Sequence, residues 1–378
     1  MRSLLLICLL LGAACGSPPA FPTPLPRPAP VPDAGPGSPL PPGPGHAAVR
    51  SGRIEVDGRP FFPHGYYYVS WGESPPQMLA TLRTIAAAGF NTLHASRTES
   101  NGYEAFLDEA ERLGIRVITE GATTEVIRTL RQKRAVLAWN IGDDAETHNT
   151  PAGLRARHED TRAADPDRLT YFTVFNWDRW GPYLDEGDLV APYNYPISST
   201  RLGEVDFAVN LARRAGRPMI GIPQAFAWPT DRPPTPVEAR NMVYQNLVNN
   251  VRGLIYYNFN QGPPLPSLHP ELWDATRSFV PEIARLTPAL TDGTFTKLDP
   301  GVDGVLAATW RLGEQRYVVV VNTDPARARS VSLALPGAPG GTLQPLFGDR
   351  PSGLQLSGGR LRGTVNPQDV HVYLVTPG

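Results

Sequence analysis

Short apolar runs alternate with segments of helical periodicity between residue 50 and about residue 290. Eight runs have the length and composition of strands and cover 61–68, 91–95, 115–119, 136–141, 169–175, 189–191, 218–222 and 254–259. Between them, apolar positions recur at helical spacing over 77–88, 103–113, 124–132, 152–164, 202–215, 236–251 and 271–286. Eight strands that alternate with helices over roughly 230 residues predict a (β/α)8 barrel. A doubly wound open sheet is the alternative, but such a sheet usually carries a glycine-rich phosphate loop, which this sequence lacks.

The helical periodicity stops near residue 290, and a pattern of short strands follows. Apolar runs at 304–310 and 317–321 flank a turn, and further runs follow at 331–335, 342–346, 361–365 and 370–375. This pattern predicts an antiparallel β-sandwich. The predicted fold class is therefore α/β, with a (β/α)8 TIM barrel over 48–289 and a C-terminal antiparallel β-sandwich domain over 290–378.

The first 15 residues have the pattern of an export signal. One arginine precedes an apolar run over 4–11, which is far shorter than the roughly 20 residues of a membrane-spanning helix. Cys15 follows small residues and resembles the lipidated cysteine of bacterial lipoproteins, although Gly12 stands where that pattern usually has leucine. We therefore predict a signal peptide over 1–15, a lipid on Cys15 and attachment to the bacterial cell envelope, at the outer membrane or cell surface. Ordinary cleavage near Ala14 is the alternative.

Residues 16–47 are predicted to form a linker. Thirteen prolines lie among the Gly, Ala and Ser of residues 17–47, which is typical of a semi-rigid, extended spacer. A ligand for proline-binding domains is the alternative. The chain has only two cysteines, Cys8 and Cys15, and both lie in the predicted signal, so no disulfide or cysteine nucleophile is expected in the remainder.

Composition and motifs exclude several function classes. The 378 residues include 35 Lys and Arg against 36 Asp and Glu, so no basic excess is available to neutralise nucleic-acid phosphates. The sequence contains no phosphate loop, no Gly-x-Ser-x-Gly elbow and no histidine pair at the spacing of a helical metal motif. We expect no cofactor, no metal and no nucleic-acid partner; the sequence does not indicate the oligomeric state.

The functional groups of such a barrel come from the C-terminal ends of its strands. These ends are rich in Tyr, Trp, Asn and Gln, with carboxylates concentrated after strands three and four. Aromatic faces stack on sugars, and amides and carboxylates hydrogen-bond to sugar hydroxyls, so the pattern favours a carbohydrate cleft; the alternative is that these rings simply bridge core and water. The predicted lining is Tyr66, His94, Asp143, Asn194, Tyr195, Gln224, Trp228, Tyr257 and Asn258.

One segment carries a family resemblance. Residues 139–146, Trp-Asn-Ile-Gly-Asp-Asp-Ala-Glu, resemble the strand-four motif of clan-A-like glycoside hydrolase barrels, including agarase-like ones, which reads Trp-x-x-x-Asp-Glu-Pro-Glu. Further segments match that pattern in order, at 165–166, 193–196, 218–226, 234–240, 252–257 and 366–373. The resemblance implies an enzyme that acts on glycosidic bonds of a poly- or oligosaccharide, with its acid/base at Asp144, where the family has glutamate.

The family's usual nucleophile, a glutamate that ends strand seven, is missing, because residues 222–226 contain no acid. Three mechanisms therefore remain open. In the first mechanism, Asp144 and Glu120 act as the acid and base of an inverting enzyme, whose carboxyls must lie about 6.5–9.5 Å apart. Alternatively, the substrate assists, as in chitinase-like barrels, with Tyr193 or Tyr195 steadying its acetamide. In the third case the barrel is a carbohydrate-binding pseudoenzyme.

We predict Asp144 as the proton donor, Glu120 as its partner and Glu146 as a further catalytic candidate. Like-charge repulsion among Asp143, Asp144 and Glu146 is expected to raise at least one pKa, as a general acid requires. The structural alternative is that Asp143 or Asp144 caps the following helix and that Glu146 complements the helix dipole. A structural envelope lipoprotein is a further alternative, in which the rim aromatics pack against loops and leave no cleft.

Overall fold

The elements below come from a computed structural model, which describes residues 45–96, 102–260, 263–336, 341–347 and 353–376. The predicted signal peptide with Cys15, and the predicted linker up to residue 44, lie outside these residues. The strands are β1 (Ala47–Arg50), β2 (Arg53–Val56), β3 (Arg59–Pro60), β4 (His64–Tyr68), β5 (Thr92–Ser96), β6 (Arg116–Glu120), β7 (Val136–Gly142), β8 (Leu169–Val174), β9 (Leu189–Pro192), β10 (Leu254–Tyr256), β11 (Thr294–Leu298), β12 (Val305–Leu312), β13 (Gln315–Asn322), β14 (Arg329–Ala334), β15 (Thr342–Pro345), β16 (Leu354–Ser357), β17 (Arg360–Val365) and β18 (Val370–Thr376). The helices are α1 (Pro75–Ala87), α2 (Tyr103–Arg112), α3 (Thr124–Leu130), α4 (Ala145–His148), α5 (Pro151–Ala164), α6 (Glu204–Arg213), α7 (Pro236–Leu247), α8 (Leu265–Leu268) and α9 (Pro270–Asp292).

Seven of the predicted strands form one curled parallel sheet in the order β10-β4-β5-β6-β7-β8-β9. The remaining predicted run, 218–222, is the seventh along the chain and makes only isolated parallel bridges, from Met219 to Val190 of β9 and from Gly221 to Leu254 of β10. It therefore lies between the two edge strands without a regular ladder. Pro218 begins this run and Pro223 follows it, and neither proline has an amide hydrogen to donate to a neighbouring strand, which limits the ladder.

The sheet is buried on both faces, which is why its strands read as apolar runs. Helices such as α1 cover the outer face, and α1 buries Met78, Leu82 and Ile85 there. A second apolar cluster, which includes Ile118 and Ile255, fills the inside of the curl together with residues of β1 and β2. The antiparallel sheet β1-β2-β3 thus covers the end of the parallel sheet at which the strands begin, and leaves the opposite end for the site.

Two antiparallel sheets follow α9. One has the strand order β11-β12-β13-β18-β15 and the other β14-β17-β16. They share an apolar core, to which β13 contributes Val318 and Val320 and the smaller sheet contributes Leu333 and Leu361. The strands β11 and β16 were not predicted, because β11 alternates threonine with few apolar residues and β16 has only four residues beside glycines.

Helix α7 joins the parallel sheet to these antiparallel sheets. It is buried from Glu238 to Leu247, and the side-chain amide of Asn241 donates to the carbonyls of Asn322 and Gln368. The C-terminal sheets are therefore held beside the loops that carry the site. Among the helices of the described residues, none is both long and apolar enough to span a membrane.

Candidate functional site

A cavity of about 750 Å³ opens at the C-terminal ends of β7, β8, β9 and β10. Eight of its seventeen lining residues are aromatic, and three of its tyrosine rings form a stack. Tyr195 lies 4.5 Å from Tyr193 and 5.4 Å from Tyr257, measured between ring centroids. The lining comprises Tyr67, Asp143, Asp144, Thr173, Phe175, Asn176, Trp177, Asp178, Tyr193, Asn194, Tyr195, Ile222, Phe226, Trp228, Pro229, Tyr257 and Asn258.

Two carboxylates, Asp143 and Asp144, reach the cavity from the end of β7. Asp144 precedes α4 and adopts a left-handed conformation (φ 45°), which is uncommon for a residue with a side chain. Its amide donates to the Thr173 hydroxyl (2.7 Å), and that hydroxyl donates to Oδ1 of Asp143 (2.9 Å). The Tyr193 hydroxyl donates to Oδ1 of Asp144 (2.6 Å). Both carboxylates are thus fixed by hydroxyls of the neighbouring strands.

The two carboxylates lie close together. The Thr173 hydroxyl is also 3.5 Å from Oδ1 of Asp144, so one oxygen contacts both acids. The two Oδ1 atoms therefore lie no farther apart than about the lower end of the 6.5–9.5 Å range that separates the two carboxyls of an inverting glycosidase.

The environment of Asp143 favours its protonated form. Burial raises the pKa of Asp143 to about 6, and the negative charges of Glu120 and Asp144 act in the same direction. Asp143 as a whole residue is exposed to the solvent of the cavity, while protein surrounds its carboxylate on the other sides. The sequence predicted a raised pKa from repulsion among Asp143, Asp144 and Glu146. At Asp143 the largest cause of the rise is instead burial, followed by the charge of Glu120 and then that of Asp144.

Glu120 lies behind Asp143 and outside the cavity lining. Its carboxylate accepts a hydrogen bond from the Tyr67 hydroxyl, and its Oε2 lies 3.2 Å from Nε2 of the fully buried His94. Burial would raise the pKa of Glu120, but the hydrogen bonds from His94 and Tyr67 and the charge of His94 outweigh burial and lower it. Glu120 is therefore held as an anion beneath the cavity.

Glu146 is also buried, and it anchors a loop. Its Oε1 accepts hydrogen bonds from the amides of Phe175 (2.8 Å) and Asn176 (2.5 Å). The loop that follows β8 is thereby fixed, and it places Phe175, Asn176 and Trp177 in the cavity wall. Glu146 itself does not line the cavity.

The structure brings most of the predicted binding residues together. Three of them lie elsewhere: His94 is behind the cavity, Tyr66 bonds through its hydroxyl to Thr276 (2.5 Å), and Gln224 accepts from the amide of Ile197 (2.9 Å). The predicted residues that line the cavity are Asp143, Asp144, Asn194, Tyr195, Trp228, Tyr257 and Asn258.

Tyr67 and Thr173 are lining residues that were not among the predicted site residues. Side chains of a strand alternate between its two faces, so Tyr67 points into the curl while Tyr66 points to the helices. The same alternation places Thr173 on the inner face of β8, with Tyr171. The alternation of side chains along each strand was thus the sequence signal that could have identified Tyr67 and Thr173 as lining residues. Phe175, Trp177 and Phe226 come from loops, where no such pattern exists.

The lining carries negative charge only. Among the described residues it contains Asp143, Asp144 and Asp178, and no Lys, Arg or His. Within the described part of the chain, no group of three His, Cys, Asp or Glu side chains is arranged to hold a metal ion.

No protein-family model and no curated protein matches this sequence. Among solved structures, a protein described as a glycoside hydrolase is similar with a TM-score of 0.61 and 13% identity, over 90% of this chain and 99% of that one. A glycoside hydrolase family 5 protein from Bacteroides vulgatus is similar with a TM-score of 0.58 and 15% identity, over 88% of this chain and 93% of that one. The α-amylase from Geobacillus thermoleovorans is similar with a TM-score of 0.57 and 12% identity, over 83% of this chain and 98% of that one. The fold is therefore one that glycoside hydrolases share, as the sequence motifs predicted.

Proposed function

We propose that this protein is an exported glycoside hydrolase that cleaves glycosidic bonds of a poly- or oligosaccharide. One observation carries the proposal: Asp143, with a pKa raised to about 6, lies beside Asp144 in an aromatic cavity at the C-terminal ends of parallel strands. Proteins with this fold commonly hold their reacting groups at this end. Perturbed carboxylates in a cavity mark a candidate active site.

The two aspartates take different roles in this proposal. Protonated Asp143 donates its proton to the glycosidic oxygen, the bond from that oxygen to the anomeric carbon breaks, and the leaving sugar departs as an alcohol. The carboxylate of Asp144, oriented by Tyr193, stabilises the positive charge that develops on the sugar ring. Water then adds to the anomeric carbon and gives its proton to Asp143, which restores the acid. The proposed proton donor is thus Asp143, whereas the sequence motif predicted Asp144.

Glu120 contributes indirectly. Its carboxylate is occupied by Tyr67 and His94 and does not line the cavity, so its role is to raise the pKa of Asp143 through its charge. An inverting pair of Asp144 and Glu120 is the less favoured mechanism for this reason.

The charge of the lining restricts the substrate. Asp144 and Asp178, joined by Asp143 when it is ionised, repel uronic acids and sulfated sugars, and the described lining residues include no cation to offset them. A neutral glycan fits this cavity, with its sugar rings against Tyr195, Trp228 and Tyr257.

The second candidate is a surface carbohydrate-binding pseudoenzyme. It is favoured by the wall formed by Ile222, Phe226, Trp228 and Tyr257, which offers no carboxylate opposite Asp143 and Asp144 among the residues that the structure describes. Such a protein retains glycans without cleaving them.

The architecture and location follow the same proposal. The segment 218–224 closes the parallel sheet into a (β/α)8 barrel, and the two C-terminal sheets form a sandwich. The chain is exported through the signal at 1–15, carries lipid on Cys15, and is held off the envelope by the proline-rich linker.

A release assay tests the function. The full-length protein is incubated with starch, cellulose, xylan, laminarin, agarose and chitin, agarose being included because of the agarase-like motif. We expect reducing ends from one of them, a loss of about 10² to 10⁴ in rate in Asp143→Asn, and no loss in the exposed control Asp160→Asn. Retention on a glycan without release in any variant supports the pseudoenzyme instead.

A further inference from the structure

A second cavity, of about 1020 Å³, lies beside the first. It is formed by the segment before α6, by the start of α7 and by loops of the C-terminal sheets. Its walls include Arg201, Phe207, Asp303, Thr323 and Gln368. Phe207 is 53% exposed, which is high for a phenylalanine beside a cavity.

Trp177 connects the two cavities, because its side chain lines both. Its ring meets the edge of Phe207, with centroids 5.5 Å apart. On the other side, Phe175 of the same loop stacks on Tyr193 at 5.8 Å, and Tyr193 continues the tyrosine stack of the first cavity. The loop after β8 therefore places aromatic rings on both sides, Phe175 against the tyrosine stack of the first cavity and Trp177 against Phe207 of the second.

The polar groups of the second cavity suit a neutral chain rich in hydroxyls. Arg232 pairs with Glu238 (2.6 Å), Arg329 with Asp324 (2.6 Å) and Asp206 with Lys297 (2.8 Å). Of the charged lining residues, these pairs leave Arg201, Glu204 and Asp303, which are of both signs. The Arg201 side chain is exposed and makes no ion pair or hydrogen bond among the described residues. Exposed rings beside planar polar side chains are groups that stack on sugars and bind their hydroxyls.

We propose that the second cavity binds distal sugar units of the same glycan whose reacting bond lies over Asp143. This inference rests on the proposed function and adds the length of the substrate: a neutral chain long enough to pass Trp177 and reach Phe207. Short oligosaccharides then occupy the first cavity alone, while longer ones gain affinity from the second.

Chain-length dependence tests the proposal. Malto-, cello-, xylo-, laminari- and chito-oligosaccharides of two to eight units are titrated calorimetrically into the Asp143→Asn variant, which keeps them intact. In the series that binds, we expect Kd to fall as the oligosaccharide fills the first cavity, and to fall a second time once it is long enough to pass Trp177. Adding Phe207→Ala is expected to weaken the longest member about tenfold and the shortest less than twofold, and Arg201→Ala to act in the same direction.

Trp71→Ala is the matched control, because Trp71 is 63% exposed and lines neither cavity. If short oligosaccharides bind and the wild type cleaves them, but Phe207→Ala weakens long and short members equally or not at all, the second cavity is not a glycan site and the proposed function stands. If no series binds to any variant, the proposed function and this inference both fail.

Discussion

Nε2 of His94 lies 3.2 Å from Oε2 of Glu120, beneath the cavity that holds Asp143. The pair keeps Glu120 ionised, and the charge of Glu120 helps to raise the pKa of Asp143. The pKa values of these two neighbouring carboxylates are thus displaced in opposite directions. This difference assigns Asp143 as the acid and Glu120 as the anion.

The first prediction concerns the pH profile. Activity is expected to decline as the pH rises through about 6, because Asp143 then loses the proton that it donates. Glu120→Gln removes a negative charge and is expected to move this decline to lower pH by roughly 0.5 to 1 pH unit. The measurement is kcat against pH for both proteins. An unchanged profile in Glu120→Gln contradicts the assigned coupling, whatever the variant does to the absolute rate.

The second prediction concerns stability. The pKa of Asp143 is about 6 in the folded protein against an ordinary value of 3.8, so ionisation of this group favours unfolding. Its cost is absent below about pH 4 and is complete above about pH 6. Asp143→Asn is therefore expected to stabilise the protein at pH 8 by about 1 kcal/mol, a value reduced for the solvent that reaches the carboxylate, and not at pH 3.5.

Urea unfolding at the two pH values measures this difference. Asp160→Asn, on the exposed face of α5, is the control and is expected to show no pH-dependent gain. An equal gain for Asp143→Asn at both pH values would mean that the effect does not come from ionisation.

The parallel sheet was largely predictable from sequence, because strands buried on both faces give apolar runs of recognisable length. Asp143 and Asp144 were found since they follow such a run. The choice between Tyr66 and Tyr67 was harder, because three successive tyrosines hide the alternation that separates the inner from the outer face. The roles of Glu120 and Glu146 depend on contacts with strands and loops distant in sequence, which no local pattern contains.

The third prediction separates Tyr66 from Tyr67. Tyr67→Phe removes the hydroxyl that donates to Glu120, so the pKa of Glu120 should rise and the pH profile should change. Tyr66→Phe removes only a hydrogen bond to Thr276 on α9 and is expected to cost about 1 kcal/mol of stability without changing the profile. The same kcat profiles and urea titrations measure both. A pH profile that changes in Tyr66→Phe but not in Tyr67→Phe would contradict the assignment of Tyr67 to the inner face and Tyr66 to the outer face.

The fourth prediction concerns the loop after β8. Glu146→Ala leaves the amides of Phe175 and Asn176 without their acceptor, and is expected to destabilise the protein by about 2–3 kcal/mol. Glu146→Gln keeps an acceptor oxygen and should recover most of this loss. Glu314→Ala, in an exposed turn, is the control. Denaturant unfolding gives the free energies, and limited proteolysis reports whether the loop opens. Equal stability of the Ala and Gln variants would show that Glu146 does not hold the loop.

The fifth prediction concerns the charge of the substrate. Because Asp143, Asp144 and Asp178 line the cavity without a described cation, an anionic glycan must bring its charge within a few ångströms of theirs. Hydroxyethyl cellulose and carboxymethyl cellulose share a backbone and differ in charge, and we expect affinity gels to show at least tenfold weaker retention by the second. Asp178→Asn should reduce the discrimination, as should 0.5 M salt, which shortens the range of the repulsion. Tighter retention on the charged polymer at low salt would instead indicate an anion-binding surface and would exclude the neutral glycan assigned to this cavity.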